Sequence, residues 1–278
     1  MTSPAPEAAA SAPSEPRTPH HRAHVLSVTG ESKSTVPLPL AFSSAIRPDL
    51  IQRAVVAAQT HRRQPYGTSL TAGARHSVQW SGKGKGVART PRLMDSMRGA
   101  QSPNTVGGRA AHPPKVARIW TKKINRKERQ LAFASALAAT REPKLAAARG
   151  HEIPHGAAIP FVLDDPVEAI ETARDARAVL EHLKVWADVE RSHDGTHLKA
   201  SGRARRRGRV RRTPRSLLVV TSAPGLARGF RNLAGVDVVP ATRLATEDLA
   251  PGGVPGRLAI FSRGAVESLR LRLGEPIP

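Results

Sequence analysis

Cysteine is absent from all 278 residues, so disulfides and cysteine-ligated zinc are excluded and a packed core must hold the fold. Aromatic side chains make up 3% of the chain, too few to read a single strand by stacking successive bases on aromatic platforms. No apolar run approaches the roughly 18 residues of a spanning helix, and the first residues hold no signal-peptide apolar stretch, so no membrane partner is expected. Acids are scarce as well: 22 Asp and Glu face 44 Lys and Arg, a net charge of +22. Such a surface repels itself unless a polyanion screens it, and nucleic acid is the polyanion that clustered basic charge points to. With so few aromatics, binding should rest on phosphate charge and RNA shape.

Composition changes along the chain. MTSPAPEAAASAPSEPRTPHHR (1–22) has little to bury and reads as a disordered tail. From Val25 the texture changes, and VLSV and TVPLPL around a Gly30-Glu31 turn predict a hairpin. Arg47-Pro48-Asp49 opens a helix whose apolar stripe is Leu50, Ile51, Ala54, Val55 and Ala58. KKINRKERQLAFASALAAT (122–140) predicts a second helix, basic at its start and apolar along Ile124, Leu131, Ala134, Leu137 and Ala138. AIPFVLDD reads as a buried strand ending in an acidic turn, and Asp165-Pro166 as the start of a third helix reaching about Leu183. The C-terminal part alternates SLLVV, LARGFRNL, VDVVP, ATEDLAP, RLAIF and AVESLRLRL. Short apolar strands separated by helical segments describe a mainly parallel sheet flanked by helices. The expected fold class is α/β, one globular domain over 23–278.

Two stretches do not fit a core. From Pro65 to Lys115 no hydrophobic period appears, and the segment carries Arg75, Lys83, Lys85, Arg89, Arg92, Arg98, Arg109 and Lys115 against the single acid Asp95. A structureless stretch of about 50 residues within a compact domain is expected only where it is functional or disordered, and an extension that folds against a polyanion accounts for both its charge and its lack of core. LKASGRARRRGRVRRTPR (198–215) packs nine basic residues and no acid into its last seventeen positions, and reads as a second phosphate clamp.

Motifs that would carry chemistry fail on context. HEIPH (151–155) matches a zinc-helix pattern, but Pro154 inside it and Gly150 and Gly156 around it deny the helix that would align His151 with His155. HDGTH (193–197) has no third ligand nearby and no clear helix, and reads as a turn. The nine carboxylates from Asp164 to Asp194 read as a solvated helix face. In WSGKGKGVARTPR (80–92), Ser77 stands where a phosphate-cradling loop needs its first glycine and Gly84 where Ser or Thr should follow Lys83. What remains is a backbone that Gly82, Gly84 and Gly86 allow close to another backbone, while Lys83, Lys85, Arg89 and Arg92 neutralise phosphates. No catalytic residue, metal, cofactor or small-molecule substrate is expected.

Seven segments in order, RRQPYG (62–67), GKGKGVARTPR (82–92), NTVGGRAAHPPK (104–115), TKKINRKER (121–129), LAATRE (137–142), NLAGVDVV (232–239) and EDLAPGGVPGRLAIF (247–261), together resemble the archaeal and eukaryotic form of the large-subunit ribosomal protein L four family, over about residues 24–273. The archaeal type fits better, because eukaryotic cytosolic members usually continue with a long basic extension after the last helix. The resemblance implies a cytoplasmic, non-catalytic ribosomal protein whose partners are large-subunit rRNA, neighbouring large-subunit proteins and the nascent polypeptide. It implies a globular domain on the subunit surface and an extended loop, 65–115, that lines the exit tunnel. It places rRNA contacts at Arg62, Arg63 and Tyr66 of the loop entry, at Arg89 and Arg92 of its stem and at Arg109, His112 and Lys115 of its return, where Gly107 and Gly108 permit close backbone approach; charge adds Arg75, Lys83, Lys85 and Arg98 to the expected rRNA contacts. Further contacts are implied at Lys122, Lys123, Arg126, Lys127 and Arg129, and in the second basic loop at Arg203, Arg205, Arg206, Arg207, Arg209, Arg211 and Arg212. One departure is Ala110, since family members usually carry a second basic residue after the position of Arg109. The rivals are an RNA-modifying enzyme, which would need a cofactor fingerprint or convergent titratable groups, and a DNA compactor, which would leave the ordered motifs unexplained.

Because nothing in the loop forms a core, its amides from 70 to 105 should exchange rapidly in the RNA-free protein. Strong protection there in a hydrogen-exchange experiment would contradict the extension reading.

Overall fold

The computed structural model describes residues 21–154, 156–198, 202–206, 208 and 210–274. Most of the expected tail, 1–20, therefore lies outside the described residues. The chain divides into two compact units, one made of the residues up to 56 together with those from 124 onward, the other of residues 57–123.

The larger unit is built on a six-stranded sheet. Its strands are β1 (Arg22–Leu26), β2 (Ser32–Pro37), β3 (Phe161–Leu163), β4 (Leu218–Thr221), β5 (Asp237–Pro240) and β6 (Ala259–Ser262). Their spatial order is β2-β1-β3-β6-β4-β5, with β1 and β2 antiparallel as the expected hairpin and every other pairing parallel. β1 begins at Arg22, ahead of the textural change at Val25, because Ala23 and Val25 alternate inward while their neighbours stay exposed.

Strands β3, β4 and β6 are buried throughout, which is why they read as unbroken apolar runs. Successive side chains point to opposite faces. Val162, Leu218, Val220, Ala259 and Phe261 enter one core with Ile51 and Val55 of helix α1 (Pro48–His61), Phe133 and Leu137 of α2 (Arg126–Ala139), and Val266 and Leu269 of the C-terminal helix (Arg263–Leu273). Phe161, Leu163, Val219 and Ile260 enter the other, with Ala146 of α3 (Pro143–Ala148), Val179 and Leu180 of α4 (Ala173–His182) and Val189 of α5 (Trp186–Asp194). Each large apolar side chain buried this way is worth about 1.5–3 kcal/mol. The C-terminal helix, α6, starts where the Ser262 hydroxyl accepts the Ala265 N–H at 3.0 Å.

Several helices differ from expectation. α2 starts at Arg126, four residues later than expected. The single third helix is instead a 3-10 turn (Asp165–Ala169) followed by α4. The backbone carbonyls of Glu168 and Ile170 accept from Ala227 and Gly229 N–H at 2.7 and 3.1 Å, so tertiary bonds replace the helical ladder there. Thr172 restarts the helix, its hydroxyl accepting the Asp175 N–H at 3.2 Å. α5 runs through His193 and Asp194, where a turn was expected, and ends at Gly195. LARGFRNL and ATEDLAP contain only single turns, Arg228–Asn232 and Thr246–Leu249.

Among the described residues Arg257, Asp188 and Arg270 are buried charged groups of this unit; Arg270, 4% exposed, donates to the Pro37 carbonyl. Arg257, 1% exposed, donates to the carbonyls of Ser216, Leu217 and Asp248 at 2.9–3.1 Å and to the Asp237 carboxylate at 2.7 Å. Burial lowers its pKa, and the Asp237 charge opposes that shift. Asp188 belongs to the acidic run read as solvated, yet it is fully buried. Its carboxylate accepts from His151 Nδ1 at 3.0 Å, Ser216 Oγ at 2.6 Å, Arg191 Nε at 3.0 Å and the Glu152 N–H at 3.2 Å. Burial pushes its pKa up, but the hydrogen bonds from His151 and Ser216 and the Arg191 charge together hold it below the usual carboxylate value. His151 of HEIPH is thus a partner of Asp188, and His155 lies outside the described residues.

Asp188→Ala leaves four donors, the buried His151 Nδ1 and Ser216 Oγ among them, without their acceptor and should cost about 3–5 kcal/mol, a fall in melting temperature on the order of 10 °C for a domain of this size. Since the folded pKa is depressed, the carboxylate's contribution is full above about pH 4 and disappears as pH falls through the folded value. The difference between wild type and variant in a thermal melt should therefore shrink below about pH 4, and a constant difference down to pH 2 would rule out this linkage.

Candidate nucleic-acid interface

Residues 57–123 carry thirteen Lys or Arg against the single acid Asp95. From residue 62 to residue 123, Ala100 is the only buried position, while Tyr66, Leu70, Val106 and Ile119 are 71–95% exposed. A segment with so little to bury is ordered by local hydrogen bonds and close backbone crossings.

The outgoing and returning limbs run against each other. Thr68 N–H donates to the Pro114 carbonyl at 3.2 Å, and the Gln101 amide donates to the carbonyls of Ala74, at 3.0 Å, and of His76. A Cβ added at Gly108 would lie 2.0 Å from the Ser102 carbonyl oxygen, so that glycine is required by an approach within the unit. Between the limbs, Val78–Trp80 pairs antiparallel with Pro91–Leu93, and Arg92 bridges to Gly99. The stretch expected to be without structure therefore contains a short hairpin. Strands of three residues are too short to leave a period in the sequence, and backbone pairing forms them with little help from burial. In the hairpin's connection, Gly82, Gly84 and Gly86 have φ of 73°, 78° and 62°, with open space where a Cβ would stand. Within the chain it is the left-handed backbone that demands these glycines. Gly107 is the same, with φ of 78°.

The implied contact residues fall into different situations. Arg62, Lys83, Lys85, Arg89, Arg98, Arg109, His112, Lys115, Lys122 and Lys123 are exposed. Arg75 is folded onto the hydroxyls of Thr71 and Ser69 at 2.8 and 3.2 Å. Arg92 is half-buried and donates to the Met97 and Ala88 carbonyls, bracing the base of the hairpin. In the larger unit, Arg126, Lys127 and Arg129 are exposed in the first turn of α2. Cations are disfavoured at a helix N-terminus by its dipole, so helix stability does not explain them. Arg203 and Arg206 are exposed on a single helical turn. Arg211 and Arg212 are exposed on a two-residue strand paired with Leu198 and His197. Arg207, Arg209 and the Arg205 side chain lie outside the described residues.

Charge counting missed one grouping. Arg63 from the outgoing limb and Arg118 from the returning limb both lie over the Trp120 ring, with Cζ atoms 5.5 and 4.4 Å from its centroid. The basic-aromatic alternation Arg118-Ile119-Trp120 was the available signal, but only the pairing of the limbs brings Arg63 to it. Among the described residues, no group of three His, Asp or Glu could hold a metal ion, and no helix is long and apolar enough to cross a membrane.

The model of the family described as Ribosomal protein L4/L1 family matches residues 36–272. The large ribosomal subunit protein uL4 of Methanopyrus kandleri is 44% identical over 262 residues, covering 91% of this chain and 99% of that protein. That of Pyrobaculum aerophilum is 44% identical over 260 residues, covering 92% and 91%. That of Methanosphaera stadtmanae is 42% identical over 247 residues, covering 88% and 95%. The chain belongs to the Ribosomal protein L4/L1 family.

Proposed function

We propose that this protein is a structural constituent of the large ribosomal subunit in the cytoplasm, binding large-subunit rRNA, assisting subunit assembly and lining the polypeptide exit tunnel with residues 65–115. The observation that carries the reading is the unit 57–123, with thirteen cations, one acid and a single buried position after its first turn, in a chain whose relatives are named as large-subunit proteins.

Its work is positional. Lys83, Lys85, Arg89, Arg98, Arg109 and Lys115 have no ion pair among the described residues, so their charge is available to phosphates, and each contact made releases condensed counterions. The positive-φ glycines at 82, 84 and 86 leave room around the backbone for RNA to approach. Arg92 and Arg75, engaged within the unit, shape the segment and hold the neighbouring cations in place. The exposed arginines of 203–212 supply a second patch, and those of 126–129 a third. Neighbouring large-subunit proteins and the nascent chain are the remaining partners. No step of chemistry is assigned to any residue.

Sedimentation of a tagged copy from its native host through a high-salt gradient should place it with large subunits at near one copy each; recovery in the light fractions alone would sink the ribosomal reading. If the six available cations from 65 to 115 meet phosphates, their part of the log–log salt dependence should be roughly −4 to −5, at about 0.7–0.9 per contact, and a slope of roughly −6 to −7 would mean that Arg75 and Arg92 leave their partners on binding. Arg203→Ala with Arg206→Ala should make the slope of the whole protein shallower by roughly 1.4–1.8 on the same basis. A slope identical to wild type would remove the second patch from the interface.

A further inference from the structure

We propose that Arg63, Arg118 and Trp120 form a phosphate clamp at the neck of the 57–123 unit, which grips the rRNA backbone where the outgoing and returning limbs meet. The inference rests on the rRNA-binding reading and extends it to two residues, Arg118 and Trp120, outside the charge-derived set.

The geometry is prepared before any ligand arrives. Thr60 is buried, donates to the Ala57 carbonyl at 2.7 Å and accepts the Lys122 N–H at 3.1 Å, which ties the two limbs together beside the clamp. On that base the two guanidinium carbons lie 5.5 and 4.4 Å from one indole centroid. Stacking holds a guanidinium by its face and leaves its N–H edge free for bidentate donation to a phosphate. Two cations on one ring repel each other, and neither has an ion pair among the described residues. The Trp120 Nε1–H is covered by protein yet has no acceptor. The site thus holds two unneutralised cations over a single ring, the complement of a phosphodiester with its two free oxygens.

The other arginine–tryptophan stack on an indole ring shows how the same motif looks when complete. Arg177 lies 4.7 Å over Trp186, but Glu181 neutralises it at 2.7 Å and Glu190 accepts the Trp186 Nε1–H at 2.6 Å. In that stack the arginine charge and the indole N–H both meet a carboxylate of the chain. At Trp120 the anion is missing from the chain, and RNA backbone supplies it.

The test uses the full-length protein and a large-subunit rRNA transcript, with affinity measured across a salt series. Arg63→Ala with Arg118→Ala should weaken binding at least tenfold and make the log–log slope shallower by roughly 1.4–1.8, for two contacts at about 0.7–0.9 each. Arg177→Ala should change neither quantity. In a Trp80→Phe, Trp186→Phe background, Trp120 is the sole tryptophan, and its emission should change on RNA addition with the midpoint of binding. If the double variant melts at a lower temperature but keeps the wild-type slope, or if Trp120 emission is indifferent to bound RNA, the stack only rivets the limbs and the clamp is overturned while the ribosomal reading stands. A wild-type chain that fails to bind rRNA overturns both.

Discussion

Like-charge repulsion within residues 57–123 is the constraint on which the rest of the arrangement depends. Two unit charges about 8 Å apart in water repel by about 0.5 kcal/mol, and at physiological ionic strength screening is only partial at that distance, which is about one Debye length. Thirteen cations with one acid therefore accumulate a cost that an apolar core would normally offset, and this unit has almost nothing buried after its first turn. What orders it instead are limb-to-limb hydrogen bonds such as Thr68 to Pro114 and Gln101 to Ala74, and one short hairpin. A polyanion would remove the repulsion and add contacts at once, so the same feature that weakens the free segment would favour its association with one.

The larger unit answers to the opposite rule. Its sheet is covered on both faces, and Arg257 and Asp188 meet opposite charges there. Arg257 joins the segment before β6 to Ser216 and Leu217 at the start of β4 and to Asp237 of β5. Asp188 joins α5 to His151 and Ser216. A buried charge that loses its partner is far more costly than an exposed one, so these residues fix the register of neighbouring elements. Arg92, drawn onto the Met97 and Ala88 carbonyls, serves the fold of its own segment.

Legibility in the sequence follows the same division. Burial on both faces made Phe161–Leu163, Leu218–Thr221 and Ala259–Ser262 readable as runs, and one-sided burial made most of the α1 stripe readable, although Ala57 is buried in place of the expected Ala58, and Leu131 of the expected α2 stripe is 57% exposed. Where tertiary bonds decided the backbone, the pattern misled: Ala227 and Gly229 capture the carbonyls that would have continued the third helix. α5 was hidden because its core contribution is mainly Val189 and a buried carboxylate, and Asp188 looks like any other acid in an acidic run. The basic surfaces were legible from charge alone. Which cations are exposed and which are braced was not, since that depends on carbonyls and hydroxyls brought near by the limb pairing, and the meeting of Arg63 with Trp120 spans 57 positions of sequence.

The tip of the second unit carries the constraint furthest. In G-K-G-K-G each lysine stands between glycines of left-handed φ with open space about them. Glycine loses more conformational freedom on ordering than any other residue, about 0.5–1 kcal/mol relative to alanine, so three of them with two cations make a segment that is poor at ordering itself. Replacing them with residues that stiffen the chain would place side chains at φ values that L-residues rarely adopt and fill the space a neighbouring backbone needs. Stability of the free segment and fit to a partner are thus opposed at the same positions. A protein that ordered this tip by itself would need apolar contacts there, and those contacts would displace the two lysines that leave the tip positively charged.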